Sequence, residues 1–148
     1  MRTARLLLLF ATCAPGLATG PVPRDDGPVR FGHVDVYVDS GQTPLAAYQV
    51  EIAGDKERVK IVGIEGGEHA AFKEAPYYDP EAMQHERVIL GAFSLNDELP
   101  AGAVRVARLH VMVTGEGKPE YSVSLTTSAS SEGRKFEAAA RIEQGEDQ

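Results

Sequence analysis

The sequence predicts an all-β fold, an antiparallel two-sheet β-sandwich of jelly-roll or immunoglobulin-like type with one short helical turn in its long loop. Seven or eight segments alternate apolar and polar residues with a period of two, as strands with one dry and one wet face do. Clusters of Gly, Pro, Asp, Asn and Ser punctuate them, and no repeat of propeller or solenoid period is visible. Many short strands without a repeat are satisfied by two sheets packed face to face.

Taken in order, Val34, Val36 and Val38 alternate with His33, Asp35, Tyr37 and Asp39, a half-buried strand closed by the turn signal Asp39-Ser40-Gly41. Tyr48, Val50 and Ile52 alternate with Gln49 and Glu51 in a second strand that ends at Gly54-Asp55. Residues 58–64 form a third, with Val59 and Ile61 on one face and Gly63 marking a bulge. Residues 66–86 break the pattern. Within them Asp79-Pro80-Glu81 orders a helix cap, a first-turn proline and an early acid, so one helical turn is expected over residues 80–85.

Residues 88–95 are apolar on both faces and read as a central strand covered on both sides. After a polar turn over 96–102, residues 103–113 are long for one strand and slip phase near Val106. Beyond the slip Ala107, Leu109, Val111 and Val113 face in, while Arg108, His110 and Met112 face out. A bulge or corner near Val106 accounts for this, since a one-residue shift flips every later side chain. Residues 115–119 form a turn, Tyr121, Val123 and Leu125 line the next strand, and residues 128–133 turn the chain again. In the last strand Phe136, Ala138, Ala140 and Ile142 face in, although its alanines would also suit a helix.

The chain divides into a signal peptide over 1–18, a Pro/Gly-rich linker over 19–30, the sandwich over 31–144 and an acidic tail over 145–148. Arg2 and Arg5 precede a short apolar run at 6–11, and Gly16-Leu17-Ala18 puts small residues where a signal peptidase inspects them. The run is far below the ~20 apolar residues of a membrane-spanning helix. The expected location is therefore extracellular, periplasmic or on the cell surface. Ala11-Thr12-Cys13 loosely resembles the box before a lipid-modified cysteine of bacterial lipoproteins, which makes Cys13 the lipidation candidate. The favoured reading is nevertheless a cysteine discarded with the leader, leaving a chain whose fold rests on its core alone.

The chain has 15 basic and 22 acidic residues, and without Arg2 and Arg5 the balance becomes 13 against 22. Such acidity argues against nucleic-acid binding and against docking on an anionic membrane. It favours a soluble monomer. The motifs His-Glu-x-x-His, Gly-x-Ser-x-Gly and Gly-x-Gly-x-x-Gly are absent from the sequence, and Gly117-Lys118 lacks the rest of a phosphate loop. No catalytic residue, metal site or cofactor is assigned. The acids and histidines of the long loop (Glu68, His69, Glu74, Asp79, Glu81, His85, Glu86) match no metal-binding spacing and read as solvated loop residues.

Binding candidates are aromatic. Tyr77 and Tyr78 are adjacent in a loop, where two neighbouring rings cannot both enter the core unless the loop folds back, so one is expected outside. Tyrosines anchor protein interfaces and stack on sugar rings. Phe72 and Met83 in the same loop would extend such a patch, and Tyr37 is a further candidate on the wet face of the first strand.

The order of segments resembles cohesin-type domains, sandwich modules of the carbohydrate-binding superfamily that dock partner modules in extracellular bacterial assemblies. The likeness is carried by Val34-Asp35-Val36-Tyr37-Val38-Asp39-Ser40-Gly41 and then Pro44-Leu45-Ala46-Ala47-Tyr48-Gln49-Val50-Glu51-Ile52. Arg58-Val59-Lys60-Ile61-Val62-Gly63-Ile64 and Val88-Ile89-Leu90-Gly91-Ala92-Phe93 continue it, as does the run from Gly102 into residues 103–113. The domain is shorter than a usual cohesin and the 66–86 loop has no counterpart, so no docking residue is carried over. The resemblance implies a non-enzymatic module that binds another protein through a sheet face or the 66–87 loop. A carbohydrate-binding module is the alternative, disfavoured by the absence of tryptophan.

Overall fold

The computed structural model describes residues 27–146, so the leader, Cys13, most of the linker and the last two residues lie outside the described residues. Among the described residues there are seven strands: β1 (Val29–Asp39), β2 (Ala47–Gly54), β3 (Val59–Gly66), β4 (Arg87–Phe93), β5 (Ala103–Thr114), β6 (Tyr121–Ala129) and β7 (Ala139–Glu146). They form two antiparallel sheets, one ordered β3-β5-β1-β7 and the other β4-β2-β6. The predicted all-β sandwich is the observed fold. Among the described residues no helix is long and apolar enough to cross a membrane.

The core follows the alternation. Val34, Val36 and Val38 of β1 meet Tyr48, Val50 and Ile52 of β2 across the sandwich, and all six are buried. Turns hold where expected: Gly41 adopts a positive φ of 60°, and its N–H donates to the Asp39 carboxylate at 3.0 Å. The phase slip in β5 is a bulge at Val106. Val36 pairs with Ala107 and Tyr37 with Arg105, which leaves Val106 as the extra residue. Val106 and Ala107 are consecutive and both fully buried, consistent with the bulge. In β3 the extra residue is Val62, one before the expected Gly63, because Ile61 pairs with Val111 and Gly63 with His110.

Two strand assignments are corrected. β4 is not a central strand but an edge of the three-stranded sheet, and its outward Ile89 and Phe93 are exposed. An apolar run cannot distinguish a strand buried on both faces from an edge strand that presents an apolar surface. The last strand begins at Ala139, later than expected, and runs on through the predicted start of the tail. The cause is upstream. Ser130 N–H donates to the Arg134 carbonyl (2.9 Å) and Phe136 N–H to the Ser128 carbonyl (3.2 Å), so residues 134–136 first pair back on the end of β6. Phe136, Ala138, Ala140 and Ile142 still pack against the core, as their alternation predicts.

Candidate functional site

The 66–86 loop is built by local devices that fasten it to both sheets. A Cβ at Gly66 would overlap the Lys73 carbonyl oxygen, and one at Gly67 the Arg105 carbonyl oxygen. Only glycines allow the chain to leave β3 so close to backbone. His69 Nδ1 then accepts from Ala71 N–H (3.1 Å) and caps a 3-10 turn, Ala70–Phe72. That turn drives Phe72 into the core, edge-on to Tyr48 with ring centres 5.3 Å apart and planes at 73°. The Tyr48 hydroxyl donates to the Val106 carbonyl at the β5 bulge (3.2 Å), and burial raises its ionisation well above the ordinary phenol value.

Further along, Tyr77 N–H donates to Gly91 O (2.8 Å) and Gly91 N–H to Tyr77 O (2.9 Å), a single bridge on the outer edge of β4. Asp79 Oδ1 accepts from Glu81 N–H (2.9 Å) and caps the second 3-10 turn, Pro80–Ala82, which is shorter than the predicted 80–85. Gln84, at φ 68°, bends the chain so that Gln84 N–H reaches the Ile61 carbonyl and Ile61 N–H the His85 carbonyl, both at 2.8 Å. One loop is thus hydrogen-bonded to the edges of both sheets.

This anchoring produces an aromatic ledge. Tyr77 stacks on Phe93 with ring centres 6.4 Å apart and planes 12° from parallel. Tyr77 is 75% exposed, Phe93 63% and Leu95 89%, with Ile89 at 46% farther along β4. A shallow hollow beside the pair is lined by Ala71, Pro76 and Leu95, with the acid of Glu74 on its rim. A second hollow on the other flank of Phe93 and Leu95 reaches Asp97, Ala129 and Ser130.

The five binding candidates separate. Tyr77 stands on the ledge. Tyr78 and Met83 are partly buried against the core, and Phe72 is only 3% exposed. Phe72 therefore does not extend an outward patch; it holds the loop from beneath. Tyr37 lies on the outer face of the other sheet under the Arg141 guanidinium, 4.0 Å from the ring centre. Phe93, Leu95 and Ile89 were not anticipated as site residues. The available signal was their spacing, since 89, 91, 93 and 95 share one face of an extended segment.

Around Asp35 the outer face of the four-stranded sheet is polar and largely satisfied by its own partners, while Phe31 stands exposed toward one end of it. Arg108 donates two hydrogen bonds to Asp35 (2.7 and 2.8 Å), with Arg105 3.8 Å away, and His110 Nε2 lies 2.9 Å from a Glu65 oxygen. Burial alone would raise the Asp35 carboxyl. The hydrogen bonds and charge of Arg108, with Arg105 and His33 adding, hold it below the usual carboxylate value. Several loop acids act as structural acceptors, as Asp79 does above and Glu68 does for the Arg105 N–H at 3.1 Å. Among the described residues no group of three His, Cys, Asp or Glu is placed to hold a metal ion. Compared with protein-family models, with curated proteins and with solved structures, the chain matches none.

Proposed function

We propose that this protein is a non-enzymatic interaction module, secreted or held at the cell surface, that binds another protein through the ledge formed by Tyr77 and Phe93. The reading keeps the cohesin-like role suggested by the strand pattern and moves its contact surface to the β4 edge. One observation carries it: two large rings stacked in parallel and left mostly exposed, on backbone fixed by paired hydrogen bonds. Exposed rings on a rigid element lose little conformational freedom on binding, and tyrosine and other aromatic anchors dominate interface energetics. Leu95 and Ile89 add apolar area, and Glu74, Asn96 and Asp97 form an exposed polar surround, the arrangement of a binding core with a wet rim.

The test is affinity capture from the extracellular fraction of the source cells, with wild-type protein and the Tyr77→Ala and Phe93→Ala variants immobilised in parallel. A protein retained by the wild type should lose affinity by about 30-fold or more in each variant, as truncation of a central anchor does. Equal retention by all three proteins sinks the reading. Retention of a purified insoluble polysaccharide by the wild type, lost in Tyr77→Ala, would transfer the ledge to sugar binding.

A further inference from the structure

A sandwich of two open sheets has four edge strands, and each exposes backbone donors and acceptors to any other extended chain. Here the edges are β3 and β7 of one sheet and β4 and β6 of the other. Three carry a protection. β3 is bonded at Ile61 by Gln84 and His85 and bears Lys60 and Glu65. β4 is bridged at Gly91 by Tyr77 and bears Arg87. β7 bears Arg141 and Glu143, paired with each other on its exposed face.

β6 differs. Its sequence, Tyr-Ser-Val-Ser-Leu-Thr-Thr-Ser-Ala over 121–129, holds no charged residue and no proline in a chain that is 25% charged. The returning segment 134–136 covers only its far end, at Ser128 and beyond. Thr126 is a bulge, since Gln49 pairs with Thr127 and Val50 with Leu125, so residues 121–125 form the regular stretch. Ser122 and Ser124 are exposed there, while Tyr121, Val123 and Leu125 pack toward the core.

We propose that β6 pairs with β6 of a second copy of this chain, antiparallel about Val123, to join the two three-stranded sheets into one of six strands. The pattern is its own complement. About that centre Val123 faces Val123, Ser122 faces Ser124 and Tyr121 faces Leu125, so hydroxyls meet on the wet face and apolar groups on the dry face. Such an interface is isologous and closes as a two-fold dimer. Charge selects the same edge: the chain carries a net −7, and this strip brings no ionised side chain of one copy against the other. The proposal is independent of the ledge reading, because Tyr77 and Phe93 lie on and beside β4 at the opposite edge of the sheet.

Sedimentation equilibrium of the purified protein over a concentration series is the test. A reversible dimer is expected, with a dissociation constant on the order of 100 µM for an interface below the standard size. The S122K/S124K double variant sets lysines against lysines and should weaken the dimer by at least 10-fold while circular dichroism and the melting midpoint stay those of the wild type. Ser124→Lys alone serves the same purpose if the double variant melts early. Tyr77→Ala should dimerise like the wild type. A wild type that is monomeric up to about 1 mM, or a dimer that survives both lysine variants, overturns the proposal. So does a dimer abolished by Tyr77→Ala.

Discussion

The two long sides of the sandwich are finished differently. On one side β3 and β4 are both hydrogen-bonded by the 66–86 loop, and Phe72, Tyr78, Ala82 and Met83 pack from that loop against the core. On the other side residues 134–136 fold back on the end of β6, with Phe136 packed beneath, and β7 then runs close to β6 without pairing with it. The loop side spends 21 residues, 66–86, on a closure that satisfies backbone groups and buries apolar area together. The β6 side leaves a neutral edge strand with no such cover. The long loop, which departs from the strand pattern, is thus both the plug of one side and the support of the exposed aromatic ledge.

The largest expected effect tests whether the loop is a plug. Phe72→Ala should cost about 3–5 kcal/mol in urea unfolding, the usual penalty for emptying a fully buried ring site, and should loosen Tyr48 against it. Phe136→Ala, half-buried on the other side, should cost about 1–3 kcal/mol. Equal losses would mean that the two sides are held alike. A smaller effect is sought in hydrogen exchange of a dilute, monomeric sample. The edge-facing amides within 121–125 should exchange about tenfold or more faster than those of Gly91 and Ile61, a difference of about 1.4 kcal/mol in opening. Matching protection would erase the asymmetry.

The smallest effect is a control at the middle of the four-stranded sheet, away from either side. Asp35 titrates below its unfolded value, so its stabilisation is full above an unfolded value of about 3.9 and is lost as pH falls through the lower folded value. The melting midpoint of the wild type should therefore decline on acidification more steeply than that of Asp35→Asn. Parallel declines would remove Asp35 from the account, and exchange at β6 should not follow this titration.

Much of the wall structure was legible in the residues. The inward valines of β1, the Val106 slip, the Gly41 turn and the Asp79-Pro80 cap are each signalled by residues within a few positions, and each stands where expected. The ledge was legible only in part. The sequence points to Tyr77, but it places Phe93 and Leu95 in the core because an apolar side chain carries no sign of what lies over it. The sequence places Phe72 outward for the converse reason: its burial depends on Tyr48, far away along the chain. The arginine clamp on the β5–β6 turn was not anticipated. Arg30 and Arg58 both donate to carbonyls of Gly115 or its neighbours, across 56 or more positions of sequence.

The sequence by itself determined the dry flank of most strands, the turn at Gly41 and the slip at Val106, because those leave their mark in local dihedral preference and a period of two. Only the tertiary structure decided which strands are edges, that β4 presents its apolar flank to solvent, and that one loop ties two sheets together. Strand neighbours are chosen by pairing between distant segments, and the same alternating strand satisfies its local rules equally well at the centre of a sheet or at its edge.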